Sequence, residues 1–218
     1  MKNKYHNYFK DHYGSTFSER DIFNYRKWFY SQYRFIGSKF KIKPGENILE
    51  IGSGFGGFYS FLSKDIQKNY LGLELDADST NFANSYFNTE AFLNKSLEEF
   101  EVKETFSAIY AFEVLEHLDS PIQNIEKIAD LLKDGGIFIG SSPYPYKKNV
   151  LADSTHNFVL HPENWRRLFL NAGFKYVEVF PMSFFPYLWR VNKHLNVRIP
   201  FYIPLPFFIS TCLIIAKK

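Results

Sequence analysis

The sequence predicts an α/β fold in which a mostly parallel, doubly wound sheet carries helices on both faces. Three observations predict it. Short apolar runs alternate with helical segments, the run at 47–51 passes directly into a glycine-rich turn, and turn residues such as Asn171-Ala-Gly separate the periodic segments. Because parallel strands need a crossover connection, usually a helix, this alternation favours parallel over antiparallel pairing.

The elements follow one another in a regular order. An aromatic helix is predicted from Glu19 to about Phe40, ahead of the first strand. Ser120 followed by Pro121 is an N-cap with proline at the first helical position, and Lys133-Asp-Gly-Gly ends that helix. The predicted strands are 47–51, 70–74, 91–94, 106–111, 136–142, 174–180 and 207–216, and the predicted helices among them are 57–66, 78–88, 121–132 and 162–171.

The turn after the first strand has the composition of a cofactor-binding junction. Gly52, Gly54 and Gly56 can adopt positive φ and, having no Cβ, let a ligand approach the backbone. The helix that follows directs its N-terminal amides at the same place. Glu74 ends the second apolar strand, where a carboxylate can accept both hydroxyls of a ribose. Together these features indicate a nucleotide-type cofactor.

Three segments resemble, in the same order, those of the class I S-adenosylmethionine-dependent methyltransferases. They are Leu49-Glu-Ile-Gly-Ser-Gly-Phe-Gly, Leu71-Gly-Leu-Glu-Leu-Asp and Phe106-Ser-Ala-Ile-Tyr-Ala-Phe-Glu-Val-Leu-Glu-His-Leu. The pattern Glu-x-Gly-x-Gly-x-Gly favours this methyl donor over a dinucleotide, whose pattern is Gly-x-Gly-x-x-Gly. The resemblance covers about 44–180 and returns at the last strand. It implies a Rossmann-like, seven-stranded sheet in which the last strand is antiparallel.

The resemblance also implies which residues bind S-adenosylmethionine. Glu74 would bind the ribose hydroxyls and Leu75 would lie beside the adenine. Ser96 and Leu97 fall where the family often has an aspartate and an apolar residue that read the adenine amino group, and the serine departs from that pattern. The residues implied around the methionine and ribose are Glu50, Gly52, Ser53, Gly54 and Gly56.

Length and composition predict one methyltransferase domain over 1–218. Within it we distinguish an aromatic N-terminal extension (1–43), a cofactor-binding core (44–182), an insertion between the last two strands (183–206) and the final strand (207–218). The extension is expected to pack against the sheet or to close over the site as a lid. The insertion is expected to be an apolar or sugar-stacking wall, a membrane-surface patch or a cover for the sheet edge.

The candidate catalytic and metal-binding residues follow the carboxyl end of the fourth strand. If a helical turn begins there, Glu113, Glu116 and His117 share one face, and His156 comes near the same rim later in the chain. Carboxylates with imidazoles suit Mg²⁺, Mn²⁺ or Fe²⁺. The grouping is similar to that of small-RNA 3′-end 2′-O-methyltransferases and, in part, quinone O-methyltransferases. In the alternative interpretation, a glutamate only caps a turn and His117 acts as a general base with Glu116 beside it. Separately, His161, next to Pro162, is expected to cap the following helix.

Charge and composition limit the partners. The formal net charge is +3 with Lys and Arg spread along the chain, which argues against a nucleic-acid surface. The single Cys212 permits no internal disulfide, and the N-terminus lacks the apolar stretch of a signal peptide, so we expect a cytoplasmic protein. Residues 199–216 are uncharged, but the prolines at 200, 204 and 206 exclude a membrane-spanning helix. Peripheral contact with a membrane stays open.

These features predict an S-adenosylmethionine-dependent O-methyltransferase. The expected acceptor is a hydroxyl of a sugar or other small molecule in surface-glycan or secondary metabolism. The alternatives are a metal-dependent RNA 2′-O-methyltransferase, a quinone or lipid-precursor O-methyltransferase, and a non-enzymatic binding module.

Overall fold

The computed structural model describes residues 18–31, 42–101, 106–146, 153–185, 188, 197–205 and 208–218. The chain divides into two compact units, Met1–Glu101 and Val102–Lys218. The first unit contains the glycine-rich turn, and the second contains Glu113, Glu116 and His117. Each unit has helices interleaved with the strands of a sheet.

The first unit builds three parallel strands in the order β3-β2-β1. Register pairs such as Glu50 with Gly72 align the ends of β1 and β2, so the glycine turn and Glu74 emerge at the same edge. Asp76 caps the long helix by accepting the backbone N–H of Ser79 at 2.8 Å. The elements are α1 (Glu19–Ser31), β1 (Ile48–Ile51), a 3₁₀ turn (Tyr59–Phe61), α2 (Lys64–Gln67), β2 (Tyr70–Leu73), α3 (Ala77–Phe87) and β3 (Phe92–Leu93).

The prediction of one continuous helix over 57–66 is wrong. A 3₁₀ turn is followed by an extended break at Leu62 and Ser63, and the four-residue α2 starts only afterwards. The reason is packing: the Tyr59 ring lies 4.9 Å from the Tyr70 ring and 4.9 Å from the Phe87 ring, centroid to centroid. Tertiary contacts of aromatic residues therefore override a weak helical preference in this segment.

Helix α1 packs into the core of the first unit, as expected for the aromatic extension. Its side chains Ile22, Phe23, Trp28, Phe29 and Tyr30 are buried. The Phe23 ring lies 5.0 Å from the Tyr86 ring, which joins α1 to α3. The part of the predicted helix from residue 32 to Phe40 lies outside the described residues, and the lid role stays a prediction.

The second unit arranges its strands in the order β4-β5-β8-β6-β7. Strands β4 and β5 are parallel, whereas β8 is antiparallel to both of its neighbours, β5 and β6. The predicted antiparallel last strand is therefore confirmed. The elements are β4 (Phe106–Phe112), a 3₁₀ turn (Leu115–His117), α4 (Pro121–Leu131), β5 (Leu132–Pro143), α5 (Pro162–Asn171), β6 (Tyr176–Phe184), β7 (Arg198–Ile199) and β8 (Ile209–Lys217).

The predicted α/β, Rossmann-like fold class is confirmed, but the described residues form eight strands and not seven. The additional strand is β7, a two-residue pairing of Arg198 and Ile199 with the end of β6. It lies within the predicted insertion at 183–206. Two residues carry too little periodicity for a sequence pattern to indicate a strand.

Candidate active site

The glycine-rich turn of the first unit has the backbone geometry that its sequence predicts. Gly52, Gly54 and Gly56 have φ values of 70°, 51° and 76°. The backbone N–H groups of Gly52 and Ser53 both donate to the carbonyl oxygen of Leu73, at 2.8 and 2.9 Å. A Cβ on Gly56 would lie 2.7 Å from the Phe87 ring, so packing as well as φ requires glycine there. The turn is thereby held against the end of β2.

Glu74 faces the turn. Its Oε2 accepts the backbone N–H of Gly54 at 2.7 Å, and its Oε1 accepts the backbone N–H of Asp76 at 2.9 Å. The side chain is only 8% exposed, and burial raises its pKa while the two backbone donors oppose that shift. A carboxylate has about four acceptor positions, so two remain for the hydroxyls of a ribose. The carboxylate that is predicted to bind the ribose hydroxyls therefore points into the turn.

Glu50 is buried within β1 and has its own set of polar neighbours. The Tyr70 hydroxyl donates to its Oε2. Burial raises the pKa of Glu50 to about 8, against stabilisation of the charged form by Tyr70 and by the positive charge of Arg26. The Glu50 carboxyl therefore keeps its proton to a higher pH than an exposed glutamate does.

Sequence reasoning did not identify Arg26 and Tyr30 as the residues through which α1 reaches this region. Arg26 donates to the Tyr30 hydroxyl at 2.9 Å, and its guanidinium lies 5.1 Å from the Tyr30 ring centroid. A Cβ on Gly57 would lie 2.7 Å from Tyr30, so α1 packs directly on the turn. The i, i+4 spacing of Arg26 and Tyr30 on a predicted helix was the available signal.

The other predicted cofactor residues lie around the same strand ends. Ser53 is fully buried, and its Cβ would lie 2.8 Å from a Cβ on Gly72, which fixes the close approach of β1 and β2. The backbone of Leu75 is held in place by a hydrogen bond, in which its carbonyl oxygen accepts from the side-chain amide of Asn94 at 3.0 Å. Ser96 accepts the backbone N–H of Glu99 at 3.1 Å, and Leu97 is buried. Their contacts with adenine stay predictions.

In the second unit, Glu113 departs from the predicted helical face. Its φ is 55°, a left-handed value that a non-glycine residue adopts at a cost of roughly 1–3 kcal/mol. Its Oε1 accepts the hydroxyls of Ser141 at 2.6 Å and Thr211 at 2.8 Å. The carboxylate is thereby bonded to β5 and β8, so the prediction that Glu113 shares one helical face with Glu116 and His117 is wrong.

Glu116, His117 and His156 do come together. One potential ligand atom from each lies within 4.8 Å of the others, an arrangement that could hold a metal ion, and Glu113 is not part of this group. Glu116 is fully buried, and its Oε1 lies 3.7 Å from the Nε2 of His117. The backbone carbonyl of Glu116 accepts the N–H groups of Asn157 at 2.8 Å and Phe158 at 3.0 Å. These two bonds bring the His156 segment to the rim.

A hydrogen-bond relay orients the His117 ring. Thr155 donates its hydroxyl to Asp153 Oδ1 at 2.6 Å, and the same Oγ1 lies 2.9 Å from the Nδ1 of His117. A hydroxyl has a single hydrogen, and Thr155 has given it to Asp153, so Nδ1–H must be the donor to Thr155. The Thr155 carbonyl, 3.2 Å from Nδ1, accepts the same proton. In the neutral ring, the lone pair therefore lies on Nε2, facing Glu116.

Asp153 and Thr155 are functional candidates that sequence reasoning missed, because a relay across 38 residues leaves no local pattern. The predicted cap at His161 is confirmed, since its Nδ1 accepts the N–H of Glu163 at 3.4 Å at the start of α5.

Comparison with known proteins identifies the family. Residues 25–179 match the model of a methyltransferase domain. The chain belongs to the class I S-adenosylmethionine-dependent methyltransferases. The methyltransferase is also 28% identical, over 133 residues, to N-methyltransferase 4 of Papaver somniferum. That match covers 57% of this chain and 36% of the relative, so the chain spans about a third of that relative's length.

Solved structures share the fold of the methyltransferase. A possible histamine N-methyltransferase from Thermotoga maritima aligns with a TM-score of 0.67 at 19% identity, covering 97% of this chain and 98% of that chain. A phosphoethanolamine N-methyltransferase 2 from Haemonchus contortus, in complex with S-adenosyl-L-methionine, aligns with a TM-score of 0.69 at 13% identity, covering 99% of this chain and 60% of that one. An S-adenosylmethionine-dependent methyltransferase from Archaeoglobus fulgidus aligns with a TM-score of 0.65 at 19% identity. The alignment covers 99% of this chain and 100% of that chain.

The residues of the first unit fit the cofactor of this family. The buried Glu74 carboxylate lies beside the left-handed Gly52 and Gly54, which is the arrangement that the predicted ribose contact requires. Among the described residues, none of the helices has the length and apolarity needed to cross a membrane.

Proposed function

We propose that the methyltransferase transfers a methyl group from S-adenosylmethionine to a hydroxyl of a sugar or related small molecule. The observation that supports an oxygen acceptor is the relay through Asp153, Thr155 and His117, which leaves a basic nitrogen at the carboxyl end of β4. A hydroxyl has to lose its proton as the new bond to carbon forms. Such a base contributes a factor of about a hundred or more to the rate.

In this proposal Glu74 binds the ribose hydroxyls with two carboxylate positions that remain beside its bonds to Gly54 and Asp76. Glu50 lies toward the methionine end, and the turn glycines, with Ser53, let the cofactor approach the backbone. Leu75, Ser96 and Leu97 line the adenine side. S-adenosylmethionine, when bound, supplies an electrophilic methyl group, and the protein contributes mainly by alignment.

Proton transfer is assigned to His117. With Nδ1–H donated to Thr155, the Nε2 of His117 accepts the proton of the acceptor hydroxyl, and Glu116 at 3.7 Å stabilises the imidazolium that results. The buried position of Glu116 strengthens this interaction because little water screens it.

The same three side chains also suit a divalent cation. As an alternative to the base, in which the Nε2 of His117 is a ligand and does not accept the proton, we propose that Glu116, His117 and His156 bind Mn²⁺, Fe²⁺ or Mg²⁺ with one carboxylate oxygen and two imidazole nitrogens. A cation between them would offset the repulsion between the Nε2 lone pair and the nearby carboxylate. When bound, such an ion would lower the pKa of an acceptor hydroxyl. Glu113 is left out of this ligand set because its carboxylate is bonded to Ser141 and Thr211.

An amine acceptor is the second candidate. The relative from Papaver somniferum and two of the similar structures have N-methyltransferase in their names. A base poised by a relay is compatible with an amine, which must also be deprotonated before attack. RNA and quinone precursors remain weaker candidates, and a cytoplasmic location remains part of the proposal.

A label-transfer assay tests the proposed function. The purified protein is mixed with methyl-labelled S-adenosylmethionine and separate pools of nucleotide sugars, small amines, quinone precursors and RNA. Label in the sugar pool that disappears in His117→Ala supports the proposal. Label only in the amine pool replaces it with the second candidate, and no label in any pool, despite cofactor binding in calorimetry, contradicts an enzyme acting on these classes.

A further inference from the structure

Three tyrosines gather at the carboxyl end of β5 in the second unit. The rings of Tyr144 and Tyr202 stack with centroids 4.3 Å apart and planes 14° from parallel, and the Tyr146 ring lies 5.8 Å from Tyr202. All three side chains are partly exposed. Tyr144 follows directly on the last residue of β5, whose parallel neighbour β4 leads into Glu113 at the same edge. Ligands of open α/β sheets bind at this edge.

Two buried serines hold this stack in place. Ser183 donates its hydroxyl to the carbonyl of Phe201 at 2.8 Å and accepts the backbone N–H of Ile203 at 3.0 Å, so it fixes the chain on both sides of Tyr202. Ser210 lies 2.8 Å from Ser183, hydroxyl to hydroxyl, and its carbonyl accepts the N–H of Tyr144 at 3.0 Å. Both partners of the stack are therefore anchored on one serine pair from β6 and β8.

Ser183 and Ser210 are 0% and 1% exposed, and their buried hydroxyls are tolerated because they are hydrogen-bonded. The bonds of the Ser183 hydroxyl hold the backbone on both sides of Tyr202, in a segment where Phe201 and Leu205 are more than half exposed. Binding sites hold their contact residues with supporting hydrogen bonds of this kind, so a fixed and partly exposed ring is suited to contact a ligand.

We propose that Tyr144, Tyr146 and Tyr202 form a wall that binds the methyl acceptor by stacking against the C–H face of a pyranose ring. This inference rests on the proposed function and specifies its substrate class. A pyranose has one face of C–H groups that gains dispersion contacts on an aromatic ring and hydroxyls on its rim that the tyrosine O–H groups can bond. Ser183 is a positioning residue for Tyr202.

Saturation-transfer difference NMR tests the wall with UDP-glucose and UDP-N-acetylglucosamine, in the presence of S-adenosylhomocysteine. The expected result is that pyranose protons receive the strongest saturation. Tyr202→Ala should raise the dissociation constant about 3- to 10-fold, the range that stacking of one ring supports. Tyr202→Phe keeps the ring and loses only a hydroxyl, so it should bind more tightly than Tyr202→Ala, and Tyr86→Ala, which removes an exposed tyrosine in the first unit, serves as the control.

Ser183→Ala should weaken sugar binding in the same direction as Tyr202→Ala, and Ser183→Thr, which restores the hydroxyl, should recover it. A role in stability alone would lower the melting temperature without changing the saturation pattern of the pyranose. If Tyr202→Ala and Tyr146→Ala both bind the two sugars as tightly as the wild type, the inference is overturned.

Calorimetry with S-adenosylhomocysteine distinguishes failure of the tyrosine wall from failure of the proposed methyl transfer. If the cofactor product binds but neither sugar does, the wall is wrong while methyl transfer to another acceptor stands. If the cofactor product does not bind, the proposed function fails first. Saturation of caffeate in place of the sugars would assign the wall to a phenolic ring and overturn the pyranose assignment.

Discussion

Glu74 and Gly54 are joined by a hydrogen bond of 2.7 Å from the backbone N–H of the glycine to the carboxylate of the acid. The acid that is assigned to the ribose therefore also fixes the turn beside it. A change at Glu74 should affect the cofactor through both its lost hydroxyl contacts and a looser turn.

We predict that Glu74→Ala weakens binding of S-adenosylhomocysteine by about 1–3 kcal/mol, as expected for lost hydrogen bonds to a charged group. Isothermal titration calorimetry measures the dissociation constant of S-adenosylhomocysteine for the wild type and the variant. Glu90→Ala, at an exposed acid of the same unit, should leave the affinity unchanged. An affinity equal to that of the wild type in Glu74→Ala would remove Glu74 from the site.

The buried Glu50 predicts a specific dependence of stability on pH. Burial raises its pKa in the folded protein from the ordinary 4.5 to about 8. Between these values the unfolded chain has released the proton that the folded protein retains, so the free energy of unfolding falls as pH rises through this window. Glu74, whose pKa is also raised, acts in the same direction.

Urea unfolding of wild type and Glu50→Gln from pH 5 to pH 9 tests this. The wild type should lose stability across the range, and the variant, which cannot ionise, should show a flatter profile. Glu90→Gln is the matched control and should keep the wild-type slope. Parallel profiles for the wild type and Glu50→Gln would mean that Glu50 ionises normally in the fold.

The relay to His117 predicts two grades of catalytic loss. His117→Ala should reduce turnover at least about a hundredfold, the contribution of a positioned base, without changing cofactor affinity. Thr155→Val removes the hydroxyl but leaves the backbone carbonyl that also faces Nδ1, so its loss should be smaller and accompanied by a shifted acid limb of the pH–rate profile.

His161→Ala is the control for these histidine and relay changes, because its ring caps α5. It should lower stability by about 1 kcal/mol, as the loss of a cap does, and leave the pH–rate profile unchanged. Unchanged turnover in His117→Ala would eliminate this residue as base and as ligand.

Metal binding is tested by the metal content of the protein as well as by its activity. We predict that protein equilibrated with Mn²⁺ retains it on desalting, and that Glu116→Gln and His156→Ala each lose it, because both residues belong to the three-residue group. Thr211→Val removes a hydroxyl that bonds Glu113 and the carbonyl of Ser142, neither of which belongs to the three-residue group, so this variant should keep the ion. Activity indifferent to EDTA, together with metal-free protein by elemental analysis, would refute the metal proposal.

The cofactor turn was predictable because its requirements are local. Positive φ at Gly52, Gly54 and Gly56 follows from the residue type, and the parallel register of β1 and β2 brings Glu74 to the same edge. The geometry after β4 was not predictable in the same way. Glu113 combines a left-handed backbone with a carboxylate bonded to Ser141 and Thr211, and Thr211 lies 98 residues away in sequence. Contacts of that range leave no periodicity to read.

The same distinction separates the helices. α4 and α5 begin at a proline with a residue suited to capping before it, and they were predicted within a residue or two of their ends. The segment at 57–66 lacks such signals and contains Phe58, Tyr59 and Phe61, whose form depends on the rings of β2 and α3 against which Tyr59 packs.

The position of β8 has a consequence for synthesis on the ribosome. This strand separates β5 from β6, yet translation produces it after both. Until residues 209–217 leave the exit tunnel, the nascent chain presents two unpaired strand edges, and such edges can join other chains. The edges of β5 and β6 are therefore open to other chains during that interval, and β8 closes both of them when it pairs.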